Sequence, residues 1–535
     1  MKHLLAPQEI WEKVIDEQVN LEEEIILKRQ EDDVIVERVY FNGAVRSLSK
    51  TRIHGVACYK PSKKPLTALL FVGITGEINL EELKTIARSG FYAFQIDYLG
   101  QNSQGLRTIY PECLSYCKKQ LKNFGGDSVL NTAWYQYVIN TQHAVSYLKE
   151  RQEVSSITVV AIKDGADVAL PIMAMDEDVS QGIVVLGDLN REFYFDEEDD
   201  KPQQVLYEID ADVLAETIEE DVHEQAWEMG MAPQSYLPLI KIPVLNVAAT
   251  YDNGQTLYDK YKSFERFEKG CFSIIPQSYK CIPNKVWKGI VAWLKKPFQG
   301  NVNIEKTFLD GNLAFRVTTD RAKAKVQVWY CRTKEDKYDK YWAPAQMVEK
   351  DGELFGVCKL YNQESLVQAF AVTNEPLPIS SPVVQEYVSE SNVLPKQNVL
   401  YNGTENIFVP IHHHWHGEMP LLEKKKGPFK IEGMYGTHFA TFAFVDDKTG
   451  LDEVSTFSFD LFSEVVQDVK LTVVGNDGVQ YTYFAPVASG NLWQHQVVHV
   501  EDFKSSTGEN FEAQPFSLFA VDAPLGVIIT NFLVL

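Results

Sequence analysis

Residues 159–170 read VVAIKDGADVAL: a β-branched run, the charged pair Lys163-Asp164, a glycine, then an apolar segment of helical character. That is the pattern of a strand, a sharp turn and a helix, with Lys163 at the turn. A lysine displayed there has two chemical fates. Desolvated and neutral, its amine attacks carbonyl carbon. Facing a carboxylate, it stays charged and does no such work. A second chemically suggestive stretch is His412-His413-His414-Trp415-His416. On a strand, His412, His414 and His416 face one side, a spacing able to ligate zinc or copper, but metal sites usually add a carboxylate or cysteine and supporting hydrogen bonds. The expectation is an exposed polar edge without metal, with His412, His414 and His416 as weak metal candidates and Trp415 as a weak candidate to stack on a sugar ring.

The remaining reactive residues narrow the choice. The seven cysteines, at 58, 113, 117, 271, 281, 331 and 358, are odd in number and form no paired CxxC knuckles, which points to reduced thiols in a cytoplasmic protein. The acidic run 196–200 lacks the turn glycine and alternating oxygens of a calcium loop and reads as a solvated loop. A net charge of -23 repels phosphate backbones and anionic lipid, so neither nucleic acid nor membrane is an expected partner. The first twenty residues have no secretory pattern, and no apolar run nears the ~20 residues that cross a bilayer. Ile10, Trp11, Val14, Ile15 and Val19 instead follow a helical spacing after Pro7. No cofactor is expected.

The elements that would position these groups fall into three blocks, since 535 residues exceed what one core usually serves. Residues 24–60 alternate as antiparallel strands do. From 66 to about 297, apolar strands such as LTALLFVG, SITVVAIK, GIVVLG and IPVLNVAAT alternate with helical stretches such as LEELKTIARSG and NTQHAVSYLKER. That implies parallel strands with crossover helices on both faces. Past 300 the helical periods nearly vanish, and short strands and turns give an immunoglobulin-like β-sandwich over 301–392, then a second all-β block over 393–535. The fold class is α/β plus all-β, in three domains at 1–300, 301–392 and 393–535.

Several of these segments together resemble the α/β-hydrolase superfamily, nearest its acetyl xylan esterase and dienelactone hydrolase branch, over roughly residues 30–297. Phe71-Val72-Gly73-Ile74-Thr75-Gly76 resembles the oxyanion loop. Asp97-Tyr98-Leu99-Gly100-Gln101-Asn102-Ser103 resembles the turn after the next strand. VVAIKDGADVAL resembles the nucleophile elbow, with small residues Ala161 and Gly165 flanking position 163. Ile242-Pro243-Val244-Leu245 leads to Asp252 as the acid-bearing strand would, and 275–280 resembles the histidine loop, followed by a helix through Trp287 and Trp293. The resemblance implies a doubly wound hydrolase sheet whose triad positions are Lys163, Asp252 and Lys280. Lysine thus stands where the serine belongs. A register one residue later would make Asp164 the nucleophile but puts bulky Ile162 at a position that must be small. No histidine lies between His223 and His412, so the base is missing as well. The degenerate triad implies no catalytic residue, and a Lys163 ammonium paired with Asp252, or with Asp164 as the nearer competitor.

The last block resembles a galactose-binding-like jelly roll of the kind found in carbohydrate-binding modules, on DVKLTVVGNDGVQYTYFAPV, NLWQHQVVHVEDF and GVIITNFLVL. It adds Trp493 as a weak ligand-binding candidate. The resulting expectation is a catalytically inactive hydrolase-fold protein that acts by binding carbohydrate or a protein partner, self-assembly included. The alternative is a carbohydrate esterase, deacetylase or other ester hydrolase with a rearranged site.

Overall fold

The computed structural model describes residues 4–17, 19–46, 49–73, 78–100, 105–111, 129–191, 225–251, 256–297, 300–320, 324–333, 341–412, 416–446, 448, 455–475, 479–488, 490, 492–511 and 516–535. The chain divides into two compact units, residues 1–247 with 259–271 and residues 248–258 with 272–535.

The first unit opens with the expected amphipathic helix, α1 (Pro7–Asp16), which starts on a proline and buries Ile10 and Val14. Then come β1 (Glu24–Glu31), β2 (Val34–Arg46), β3 (Ser49–Tyr59), β4 (Leu66–Val72), α2 (Leu80–Arg88), β5 (Tyr92–Ile96), α3 (Ala133–Glu150), β6 (Val154–Ile162), α4 (Ala166–Met175), β7 (Val179–Val185), β8 (Val244–Tyr251), α5 (Leu257–Phe264) and β9 (Gly270–Tyr279), with residues 248–258 and 272–279 of these belonging to the second unit. The strands form one sheet in the order β1-β2-β3-β5-β4-β6-β7-β8-β9. β1, β2, β3 and β5 pair antiparallel, whereas β5, β4, β6, β7 and β8 are parallel neighbours. The exchange of β4 and β5 in an otherwise sequential order makes this half α/β-hydrolase-like, with β1 as an added edge strand. The last five residues of β4 and the last six of β6 are all buried, as parallel strands covered on both faces must be.

Two helices carry the load around the turn at 163. α3 begins at Ala133, earlier than the periodicity suggests, because its residues are buried nearly all round and show no polar stripe. Thr132 caps it by accepting a hydrogen bond from the Tyr135 amide. α4 carries Pro171 in its interior, which leaves the Asp167 carbonyl without its helical donor. The Trp134 indole of α3 donates to that carbonyl at 2.9 Å, so the helix continues through the proline with its backbone satisfied.

The second unit is strand-rich. Val302–Leu309, Asn312–Thr319, Glu353–Val357 and Gln346–Lys350 form one four-stranded sheet, and Ala343–Pro344, Val326–Thr333, Ser365–Thr373 and Val384–Val388 another. Two hairpins of the first sheet turn on Asp310-Gly311 and Asp351-Gly352, with all four φ angles positive, as a two-residue turn between twisted strands demands. A further sheet is organised on one long strand, Phe516–Val534, which pairs antiparallel with Val399–Tyr401, Glu432–Thr441, Thr456–Phe462 and Gln467–Gly475. A buried ion pair, Arg332 Nη2 to Asp446 Oδ2 at 2.5 Å, lies inside this unit with the guanidinium 4.6 Å from the Tyr361 ring centre. The helix α6 (Asn284–Lys295) buries Trp287 and Trp293, as its spacing predicts.

Candidate functional site: the turn at Lys163

Lys163 follows the last residue of β6 and precedes α4 by two residues, and its φ is +47°. A left-handed lysine costs roughly 1–2 kcal/mol, and only a well-packed surround holds it there. That surround is visible. A Cβ on Gly165 would sit 2.1 Å from the Val72 carbonyl oxygen of β4, so only glycine lets the turn approach the neighbouring strand. A Cβ on Gly187 would lie 2.8 Å from the Ala166 Cβ and 3.0 Å from the Lys163 carbonyl oxygen. Gly165 is the small residue that the sequence pattern required. Gly187, on the segment after β7, is a second that it did not indicate.

Sequence reasoning also missed the charges around this turn. Arg191 binds Asp164 through Nη2 at 2.6 Å and Asp167 through Nη1 at 2.7 Å, with Asp188 at 4.0 Å. The Asp167 side chain is only 1% exposed, Asp164 48% and Arg191 26%. Burial alone would lower the Arg191 pKa, but the charges of Asp167 and then Asp164 outweigh it and raise it. The segment bearing Arg191 is itself pinned, because its carbonyl accepts the Trp227 indole at 2.8 Å and the Gln234 amide at 3.3 Å, and Gln234 accepts its N–H. On the other side, Asp188 pairs with Lys260 of α5 at 3.4 Å, and the lysine is 1% exposed. Asp188 stands three residues past the end of β7. The readable signal was the strand-end pattern GIVVLGDLNR, with an acid and an arginine three apart.

The arrangement has carboxylates and cations but no imidazole on the segments that form it. The described histidines of this unit sit elsewhere: His54 in β3, and His143 in α3. Burial pushes each imidazole down to about 4, so both are neutral at pH 7. Asp164, the weaker candidate for nucleophile and for partner of Lys163, is bound to Arg191.

The other expected site residues distribute as follows. Asp252 and the oxyanion-loop residues 74–77 lie outside the described residues, so the Lys163–Asp252 pair does too. Lys280 belongs to the second unit, has φ +50°, and its ammonium lies 5.1 Å from the Tyr279 ring centre. His414 and Trp415 are outside the described residues. His416 and Gly417 pair in parallel with Ile282 and Pro283, the His416 ring lies tilted 5.5 Å from Trp287, and the His412 ring packs on Gly417. Among the described residues no three His, Cys, Asp or Glu side chains gather as a metal site. Trp493 is half-buried; its indole donates to the Pro428 carbonyl at 3.1 Å and lies over Gly427. It backs a turn in which Phe429 and Lys430 both have positive φ and Phe429 is exposed.

No family model matches the chain, and no curated protein matches it. Solved structures do. Acetyl xylan esterase 1 from Thermoanaerobacterium sp. JW/SL YS485 aligns over 50% of this chain and 86% of its own, at 16% identity and a TM-score of 0.39. An acetyl xylan esterase from Paenibacillus sp. R4 covers 50% and 85%, at 15% identity and a TM-score of 0.37. A putative dienelactone hydrolase from Klebsiella pneumoniae subsp. pneumoniae MGH 78578 covers 49% and 99%, at 10% identity and a TM-score of 0.32.

Proposed function

We propose that this protein keeps the scaffold of an α/β-hydrolase without its acyl-transfer chemistry and acts by binding. The carrying observation is Lys163 itself, held at φ +47° on the turn between β6 and α4, where a nucleophile would be displayed. Acyl transfer needs a base of near-neutral pKa beside the attacking group. The cations and acids around this turn are committed to one another instead, through Arg191 and Lys260. In this reading the chain comprises a hydrolase-like domain at 1–300, an immunoglobulin-like sandwich at 301–392 and a jelly roll at 393–535. It works in the cytoplasm on carbohydrate or a protein partner, with self-assembly included. Support for a reducing compartment comes from the buried free thiols of Cys58, Cys271, Cys281, Cys331 and Cys358. The high negative charge argues against nucleic acid and anionic membrane, and no described helix is long and apolar enough to cross a bilayer.

The second reading is an ester hydrolase with rearranged residues. It is favoured by the retained strain at Lys163, since such strain concentrates at working sites. Hydrolysis of p-nitrophenyl acetate by the pure protein separates the two. The binding reading expects no turnover above buffer, and none gained in Lys163→Ser, because the base is still missing. Turnover that disappears in Lys163→Ala would establish the hydrolase.

A further inference from the structure

The second unit contains an open cavity of about 920 Å³, one wall of which is residues 275–278 of the segment that resembles the histidine loop. Its size lies within the range of small-molecule sites. Its cations are the first unusual feature. Lys285 and Lys288, one helical turn apart on α6, and Lys325, just before the strand Val326–Thr333, all line it. All three are exposed, and among the described residues none has a carboxylate within 4.0 Å. Two carboxylates line the cavity as well, Glu418 accepting from the Asn284 amide at 2.7 Å and Glu375 from the Thr373 hydroxyl at 3.2 Å, so the three lysines outnumber the acids by one.

Two further groups give the cavity a shape preference. Trp329 is half-buried on its wall, and among the described residues its indole has neither a ring nor a cation against it. Gln277 is held at φ +51°, with its amide N–H donating to the Trp342 carbonyl at 2.8 Å. Its carbonyl oxygen is buried and accepts no hydrogen bond from any described residue. That oxygen has no surface open to the cavity, so Gln277 shapes the wall rather than meeting a ligand directly.

We propose that this cavity binds an acidic saccharide, a sugar ring carrying a carboxylate or phosphate. The flat indole of Trp329 covers one face of the ring, and the three ammonium groups meet the anion at the mouth. This site lies wholly within the second unit and goes beyond the reading of the turn at Lys163. It stands whether that turn is inert or hydrolytic.

The test is calorimetric titration of the full chain with digalacturonate, glucose 6-phosphate, neutral galactobiose and inorganic phosphate. One or both acidic sugars are expected to bind with sub-millimolar Kd, and the neutral disaccharide at least about tenfold more weakly, a difference of about 1.4 kcal/mol. Binding weakens with added salt. The triple variant Lys285→Gln, Lys288→Gln, Lys325→Gln, exposed throughout and so expected to fold, loses tenfold or more for the acidic sugar. Trp329→Ala loses a comparable factor for both sugar classes but leaves the salt dependence. Lys163→Ser changes none of these affinities. Absence of binding by both acidic sugars at millimolar concentration overturns the proposal. So does affinity unchanged in the triple variant, and so does inorganic phosphate binding as tightly as the sugars, which would leave an anion site without a saccharide.

Discussion

Replacing Arg191 with methionine keeps most of the side-chain volume and removes one positive charge from among Asp164, Asp167 and Asp188. The energetic weight is unequal across these contacts. Asp164 is about half exposed, and a pair in that setting is worth about 0–1 kcal/mol. Asp188 is 4.0 Å away and keeps Lys260. Asp167, at 1% exposure, has no recourse to water, and breaking its 2.7 Å pair leaves a buried carboxylate facing two others. Removal of one partner from a buried pair typically costs 3–5 kcal/mol, and Arg191→Met is expected in that range. Asp164→Asn should cost no more than about 1 kcal/mol. Arg191→Met combined with Asp167→Asn should recover much of the loss, with a coupling energy on the order of 2 kcal/mol, within the range for residues in direct contact. The assay is denaturant unfolding followed by tryptophan fluorescence, with the double-mutant cycle evaluated on the transition that Arg191→Met moves. A loss below about 1 kcal/mol in Arg191→Met, or additivity of the two changes, would refute the claim that this pair clamps the turn.

Other consequences are open to measurement. Gly165→Ala places a methyl 2.1 Å from a backbone carbonyl that cannot retreat without parting β4 from β6, so a loss of about 3 kcal/mol or poor soluble yield is expected; a melting temperature within a degree of the parent would show the turn to be loose. His54 and His143 have folded pKa values near 4 against an unfolded value near 6.5. As pH falls through 6.5 the unfolded chain takes up these protons before the native one does, so stability drops between pH 6.5 and 4, by on the order of 3 kcal/mol per histidine. Denaturant midpoints across that range should flatten in His54→Gln with His143→Gln, and an equal slope in the variant rules the histidines out as its source. In the second unit, Asp446→Asn strands Arg332 and should cost about 3–5 kcal/mol, measured by the same unfolding assay, whereas the paired change Arg332→Met with Asp446→Leu should cost far less.

How much of this could be read in advance differs by element. The turn at 163 was legible because its constraints are local: a β-branched run, a small residue before and after, then an apolar helix. The parallel sheet was legible because strand and helix alternate. The clamp was not, since it joins Asp164 and Asp167 to Arg191, more than twenty residues away, and an acidic surface offers many equivalent-looking aspartates. Trp134 was also invisible, because its role depends on a proline in another helix. Trp493 drew notice as an aromatic beside a strand, but its hydrogen bond to Pro428, across more than sixty residues, had no sequence signal. The cavity in the second unit was not legible either: only Gln277 falls in a noticed segment, and Lys285, Lys325 and Trp329 come from separate elements.

The long strand Phe516–Val534 bears on how this polypeptide acquires its shape during synthesis. Four earlier strands, beginning with Val399–Tyr401, find an antiparallel neighbour in it. A ribosome adding about 5–20 residues per second needs on the order of ten seconds to travel from the first of those strands to the neighbour they share. For that interval their backbone amides and carbonyls are open edges, able to pair with any other nascent chain nearby. The sheet therefore closes late and all together, and the hazard of misassembly is greatest while the strand that closes it is still being made.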